Sequence, residues 1–209
     1  MHQDDEQHLQ QIKAWWQRHG SGIILGLAGL AVILAGWWGY GAWQERSARQ
    51  AASAYAELLR AEQGGELEAA EAAGERLLDE HAGSGYAAMA ALRLARIQVE
   101  AGERGRAIQT LEGLAEDAGT RAMAELARLR WAQLLGETDR EAALALLDRE
   151  VTDGFRASYA QLRGDLLSRL GRPEAAAEAY REALGSEPGL GAQARELVRR
   201  KLQAVEAEA

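Results

Sequence analysis

The sequence predicts an all-α protein in which one membrane-spanning helix precedes an array of helix pairs. Three observations predict this: a charge-free apolar stretch near the N-terminus, apolar residues at helical spacing through the rest of the chain, and glycines that recur at a fixed interval. No segment shows a convincing strand pattern. Cysteine is absent, which excludes disulfides and thiolate chemistry.

The tail, residues 1–19, is short and charged. Its acidic residues 4–6 suit a helix start, where carboxylates meet the positive end of the helix dipole. Leu9, Ile12 and Trp16 then recur at steps of three and four residues. This spacing predicts a short amphipathic helix on a membrane surface, and the alternative is a frayed flank of the helix that follows.

The stretch Gly20–Trp43 contains no charged residue and predicts a transmembrane helix. The interval from Trp16 to Trp37 measures about 31 Å of helix, the thickness of the hydrocarbon layer. Five of the six Trp residues flank this apolar stretch, as in the aromatic belts of membrane proteins. A cleaved signal peptide, the alternative, needs small residues at its cut site, whereas this region carries Trp37, Trp38 and Trp43.

Small residues recur at four-residue steps in two runs along the predicted transmembrane helix, a GxxxG pair and then three further residues. Such faces let helices approach closely in lipid, which predicts a contact with another copy or with a different membrane protein. Since Gly and Ala are common in membrane helices, ordinary composition is the alternative. The residues of this predicted membrane-helix contact are Gly22, Gly26, Ala31, Ala35 and Gly39.

Charge restricts the partners of the domain after the span, residues 44–209. The tail carries a net charge of −1, which leaves −7 of the total −8 on this domain. A domain of this sign repels phosphate, so nucleic acid is a poor partner. Lys13 and Arg18 on one side of the span are matched by Arg46 and Arg49 on the other, so the positive-inside rule leaves the orientation open.

Glycines divide the domain into units. Helical periodicity continues from the span to Gly64–Gly65, which predicts a stiff mount rather than a flexible linker. Gly102, Gly136 and Gly171 each end one apolar-periodic segment and begin another. Their intervals of 34 and 35 residues are the period of tetratricopeptide (TPR) repeats, each of which is a helix–turn–helix.

The clearest unit runs from Ala157 to about Gly191. It matches the TPR pattern of small, large and aromatic residues, whereas the unit around Gly136 is degenerate. A last helix between Pro188 and Ala207 is expected to cover the exposed end of the array. The alternative is a helical bundle without repeats. The matching residues are Gly164, Leu167, Ala176, Tyr180, Ala183 and Pro188.

The sequence offers little chemistry. His81, the one histidine after the span, precedes Gly83-Ser84-Gly85, which lacks the lysine of a phosphate loop and the strand of a nucleophile elbow. Carboxylates alternate with arginines, as on a solvated helix surface. We therefore expect no enzyme, metal, cofactor or small-molecule substrate.

A binding role fits the repeats better. The first helix of each TPR unit lines the concave side of an array, where a mixture of Met, Leu and Arg can hold a helix or an extended peptide. The alternative is that the Met and Leu residues belong to the core between repeats. The residues of the predicted partner-binding face are Met89, Leu92, Arg96, Met123, Leu126, Arg130, Gln161, Asp165 and Arg169.

The layout of the whole chain carries a resemblance. The tail EQHLQQIKAWWQRHG leads into a glycine-rich span ending in WWGYGAW, and the clearest repeat contains YAQLRGDLLSRLGRPEAAAEAYREAL. Over nearly its entire length the chain resembles the YfgM-like family, the ancillary subunits of the bacterial SecYEG translocon. The resemblance implies an inner-membrane protein with a cytoplasmic tail and a periplasmic TPR-like domain. It also implies SecYEG and a PpiD-like periplasmic chaperone as partners.

Two binding hypotheses follow. In the first, the protein is a scaffold beside the translocon that links secreted chains emerging in the periplasm to chaperones. In the second, it is a membrane-anchored TPR adaptor for another cell-envelope assembly complex. An enzyme is the third hypothesis, and it requires a deep polar pocket with converging titratable groups.

Substitution Leu30→Arg tests the anchor. It removes a residue that favours insertion and places at the span centre a charge that costs about 2.5–3.5 kcal/mol. We expect a reduced membrane-integrated fraction after carbonate extraction. Unaltered integration would mean that the span is longer or lies elsewhere.

Overall fold

The computed structural model describes residues 30, 33–38, 40–41 and 43–208. By its contacts the chain divides into two units, Met1–Gln50 and Ala51–Ala209, and each is taken by itself. The predicted tail helix lies outside the described residues. So do four residues of the predicted membrane-helix contact, namely Gly22, Gly26, Ala31 and Gly39.

In the first unit, every described residue of the predicted transmembrane stretch is helical. The large apolar side chains there are exposed, with Trp37 at 74% and Trp38 at 81%. Ala35, the described member of the predicted membrane-helix contact, is exposed too. Within the described part of the chain, no helix is both long and apolar enough to cross a membrane, so the span over Gly20–Trp43 stays a prediction.

The second unit consists of helices and turns in its described residues. In this unit the first helix, α1, covers residues 51–63 and ends at Gly64–Gly65, as predicted. The following helices are α2 (Leu67–His81), α3 (Gly85–Glu100), α4 (Arg104–Asp117), α5 (Arg121–Leu135), α6 (Arg140–Leu147), α7 (Asp153–Arg169), α8 (Pro173–Gly185) and α9 (Ala192–Glu208).

Each helix packs mainly against its neighbours along the chain, from α2 on α3 to α8 on α9. The pairs α3/α4, α5/α6 and α7/α8 are the three predicted units, and Gly102, Gly136 and Gly171 lie at their turns. An earlier pair, α1/α2, precedes them, and α9 packs on α8 at the C-terminal end. The prediction of an all-α TPR-like array is confirmed for this unit.

Two of the turn glycines adopt a backbone conformation that side chains disfavour. Gly102 has φ 80° and Gly171 has φ 69°. In both turns the residue after the glycine donates its N–H to a carbonyl of the preceding helix. The Glu103 N–H donates to the Gln98 carbonyl at 2.7 Å, and the Arg172 N–H donates to a carbonyl of α7 at 3.0 Å. This is the Schellman arrangement, which satisfies the last carbonyls of α3 and α7.

Two other glycines allow close helix contacts. Gly136 has φ −64°, and a Cβ atom there would lie 2.5 Å from Cδ2 of Leu166 on α7. On α7, a Cβ atom at Gly164 would lie 2.5 Å from Cε1 of Tyr180 on α8. Both distances are far below van der Waals contact, so a side chain at either position would force its neighbour to shift.

The apolar core is a series of clusters rather than one centre. Each cluster joins three consecutive helices: α1–α3, α3–α5, α5–α7 and α7–α9. Trp131 of α5 packs on the second of these clusters. Stability therefore comes from contacts between neighbouring units, as in other repeat proteins.

Substitution Gly164→Leu tests this packing. It should lower the free energy of unfolding by about 1–3 kcal/mol, because the new side chain overlaps the Tyr180 ring. The matched control is Gly154→Leu on the same helix, where a Cβ atom meets nothing within 4 Å. Urea unfolding followed by circular dichroism is the measurement, and equal midpoints for the two variants would contradict the described crossing.

Candidate binding surfaces

The nine predicted partner-binding residues lie on the first helices of the three units. On α3 and α5 the Met and Leu side chains are half-buried, and the Arg side chains are exposed. On α7, Gln161 and Asp165 are half-buried and Arg169 is exposed. Their role in binding stays a prediction. We call this surface the first-helix face: Met89, Leu92, Arg96, Met123, Leu126, Arg130, Gln161, Asp165 and Arg169.

Asp165 is the member of the first-helix face with the most internal contacts. It accepts a hydrogen bond from the Tyr180 hydroxyl at 2.8 Å, and Lys201 donates to both of its oxygens at 2.7 and 2.8 Å. Burial, together with the hydrogen bond to Asp165, raises the pKa of Tyr180 well above its ordinary value. Asp165 therefore joins α7, α8 and α9.

Ion pairs occupy the two ends of the first-helix face. At one end Arg96 pairs with Glu62 of α1, and at the other Asp165 pairs with Lys201 of α9. In the middle, Arg130 of α5 hydrogen-bonds Gln133 at 3.0 Å and makes no ion pair with any described residue. Among the described residues, Arg130 on α5 and the exposed Arg169 on α7 are thus the charges of the face without an ion pair, and both are available to a partner.

A groove of ≈ 630 Å³ lies between the α2–α3 turn, the start of α3, the second half of α4 and the start of α5. Its size is within the range of about 300–1,000 Å³ that is usual for binding pockets. We call it the α3–α4 groove. Its apolar walls include Leu78, Ala88, Ala91, Gly113, Leu114 and Met123.

The α3–α4 groove and the first-helix face are different surfaces. Met123 is their one common residue, and α3 turns Ala88 and Ala91 towards the groove but Met89 and Arg96 away from it. Sequence reasoning missed the groove. The available signal was a glycine, Gly113, inside an otherwise strong helix-forming segment.

Glu125 is the buried carboxylate of the domain, with 2% of its surface exposed. It accepts hydrogen bonds from the Thr152 N–H at 2.9 Å, from the Thr152 hydroxyl at 2.5 Å and from Arg121 Nε at 2.9 Å. Burial opposes ionisation, but these hydrogen bonds outweigh it and hold the pKa of Glu125 below its ordinary value.

The contacts of Glu125 indicate a structural role, in which the side chain holds a loop in place. Thr152 precedes α7, so the carboxylate fixes the loop between α6 and α7 to α5. The hydroxyl of Tyr159 on α7 donates to the Glu125 carbonyl at 2.7 Å, and burial raises the pKa of Tyr159. No described group of three or more His, Cys, Asp or Glu residues has a geometry that could hold a metal ion.

The helix pairs and their spacing define a repeat protein, and the similarity of the chain to known proteins supports this class. A family model described as a tetratricopeptide repeat-like domain matches residues 13–207. The chain belongs to this family.

The resemblance to ancillary translocon subunits is confirmed. The chain is 28% identical over 190 residues to the ancillary SecYEG translocon subunit of Escherichia coli (strain K12), covering 90% of each chain. It is also 28% identical over 188 residues to the ancillary SecYEG translocon subunit of Haemophilus influenzae, covering 86% of this chain and 88% of that one.

Solved structures share the fold. The crystal structure of MamA protein has a TM-score of 0.54 and 16% identity, covering 74% of this chain and 89% of that chain. A further crystal structure of MamA has a TM-score of 0.51 and 17% identity, covering 71% and 91%. At this identity the likeness concerns the fold alone.

Substitution Glu125→Gln tests the anchor in the α6–α7 loop. We expect a loss of about 1–3 kcal/mol in the free energy of unfolding near neutral pH, because charge-assisted hydrogen bonds are lost. Since the folded-state pKa is lowered, this stabilisation is present above the unfolded pKa of about 4.3 and is lost as pH falls through the folded value.

Urea titrations of the full chain at neutral and acidic pH measure this effect. The wild type should lose more stability on acidification than Glu125→Gln does. The exposed Glu178→Gln on α8 is the matched control and should behave as the wild type. Equal stability of Glu125→Gln and the wild type at neutral pH would contradict the anchor.

Proposed function

We propose that this protein is a membrane-anchored TPR-like binding scaffold, ancillary to the SecYEG translocon. The observation that carries the proposal is the similarity to two ancillary SecYEG translocon subunits along nearly their whole length. The TPR-like fold supports a role in protein–protein binding rather than catalysis.

The proposed topology is a single pass through the bacterial inner membrane. Residues 1–19 form the cytoplasmic tail, 20–43 the transmembrane helix and 44–209 the periplasmic domain. The exposed apolar side chains of the first unit, among them Trp37 and Trp38, support this placement because lipid would cover them.

The scaffold links secreted chains emerging in the periplasm to a PpiD-like chaperone. The α5 portion of the first-helix face is the proposed contact, where Leu126 is half-buried and the Arg130 charge has no internal ion pair. A helix or an extended peptide could place an apolar side chain on Leu126 and a carboxylate on Arg130.

Site-specific photo-crosslinking in intact membranes tests this function. A crosslinker at Leu126 or Arg130 should form adducts with SecYEG, the chaperone or secreted chains, because these positions face the proposed partner. The same group at Glu178, exposed on the second helix α8, is the control and should give few. Adducts confined to another envelope complex would favour the alternative, an adaptor for that complex. Equal labelling from all three positions would contradict the first-helix face as the contact surface.

A further inference from the structure

The α3–α4 groove is walled by very small residues. Gly113 lies inside α4, where glycine is about 1 kcal/mol less favourable than alanine. A Cβ atom at Gly113 would meet nothing within 4 Å, so no contact within the domain requires glycine there. The missing side chain leaves space in the groove beside Ala88 and Ala91.

The hydroxyl groups at the groove already have partners. Ser84 accepts from the Ala87 N–H at 3.1 Å and caps α3, and Thr120 accepts from the Met123 N–H at 3.3 Å and caps α5. The Thr110 hydroxyl donates to Gln98 at 2.9 Å. The wall therefore offers an occupant mainly apolar contact.

Asp117 is the ionisable side chain among the residues that line the groove, and it makes no ion pair with any described residue. The segments that form its walls, 78–91 and 109–123, carry five carboxylates, and none of them makes an ion pair with any described residue. Their one guanidinium, on Arg121, is bound to Glu125. The five carboxylates belong to Asp79, Glu80, Glu112, Glu116 and Asp117.

Elsewhere in the domain carboxylates commonly pair with arginine, as Glu141 does with Arg172 at 2.5 Å and Glu206 with Arg181 at 2.5 Å. An apolar groove that is lined by the unpaired carboxylate of Asp117, on segments with more acidic than basic residues, attracts a segment that combines apolar side chains with positive charge.

We infer that the α3–α4 groove binds a short apolar segment of a partner protein that carries Lys or Arg beside its apolar residues. The apolar side chains fill the space over Gly113, and the basic residue lies near Asp117, which lines the groove. This inference rests on the proposed function only in taking the occupant to be a protein. It adds a second binding surface, apart from the first-helix face.

Peptide binding to the full chain in neutral detergent micelles tests the inference. The probe is a short labelled peptide of Leu, Ala and Lys, and its partner probe has Glu in place of Lys. Gly113→Leu fills the groove and should weaken binding of the Lys peptide about tenfold. Gly105→Leu is the matched control, because this glycine lies on the same helix, outside the groove, and is equally open.

A second experiment tests the contribution of negative charge to peptide binding. The double variant Glu116→Gln, Asp117→Asn should weaken binding of the Lys peptide and reduce its dependence on salt, because the segment that lines the groove then carries less negative charge. The Glu peptide should bind far more weakly than the Lys peptide. Wild-type affinity in Gly113→Leu, equal losses in both glycine variants, or equal binding of the two peptides would each overturn the groove as the site.

Copurification of SecYEG with the same variants separates this inference from the proposed function. Loss of peptide binding by Gly113→Leu with SecYEG retained would support a groove for a partner other than the translocon. If SecYEG fails to copurify with the wild type, the proposed function is wrong. The peptide titrations then still decide whether the groove is a binding site.

Discussion

The contact between Gly164 on α7 and the Tyr180 ring on α8 sets the spacing on which the C-terminal half depends. Because no side chain stands between the helices, the ring lies against the α7 backbone and its hydroxyl reaches Asp165. Lys201 then extends the contact to α9. One absent side chain thus permits a packed crossing, a partly buried hydrogen bond and the docking of the last helix.

In the middle unit, formed by α5 and α6, different contacts hold the helices against the next unit. Its second helix, α6, has only 8 residues, and the loop after it has less helix to hold it in place. Glu125 replaces that support by binding Thr152 directly, while Gly136 lets the turn approach Leu166. A buried carboxylate is tolerated here because hydrogen bonds satisfy both of its oxygens.

The domain presents two surfaces of different chemistry. The first-helix face has internal ion pairs at its ends and the cationic Arg130 at its centre. The α3–α4 groove is mainly apolar, with the carboxylate of Asp117 in its lining. A scaffold with two such surfaces can hold two partners at once, which is the property that a link between secreted chains and a chaperone requires.

The sequence by itself determined the helices, the turn glycines and the repeat interval, because periodicity and turn chemistry act between residues close in the chain. Only the tertiary structure decided the ion-pair partners: some arginines reach carboxylates 31 residues away, as Arg106 does with Glu75 and Arg172 with Glu141. The α3–α4 groove likewise exists only once segments 78–91 and 109–123 meet. Such contacts depend on how neighbouring units stack. A pattern within one helix carries no information about contacts between residues of different units.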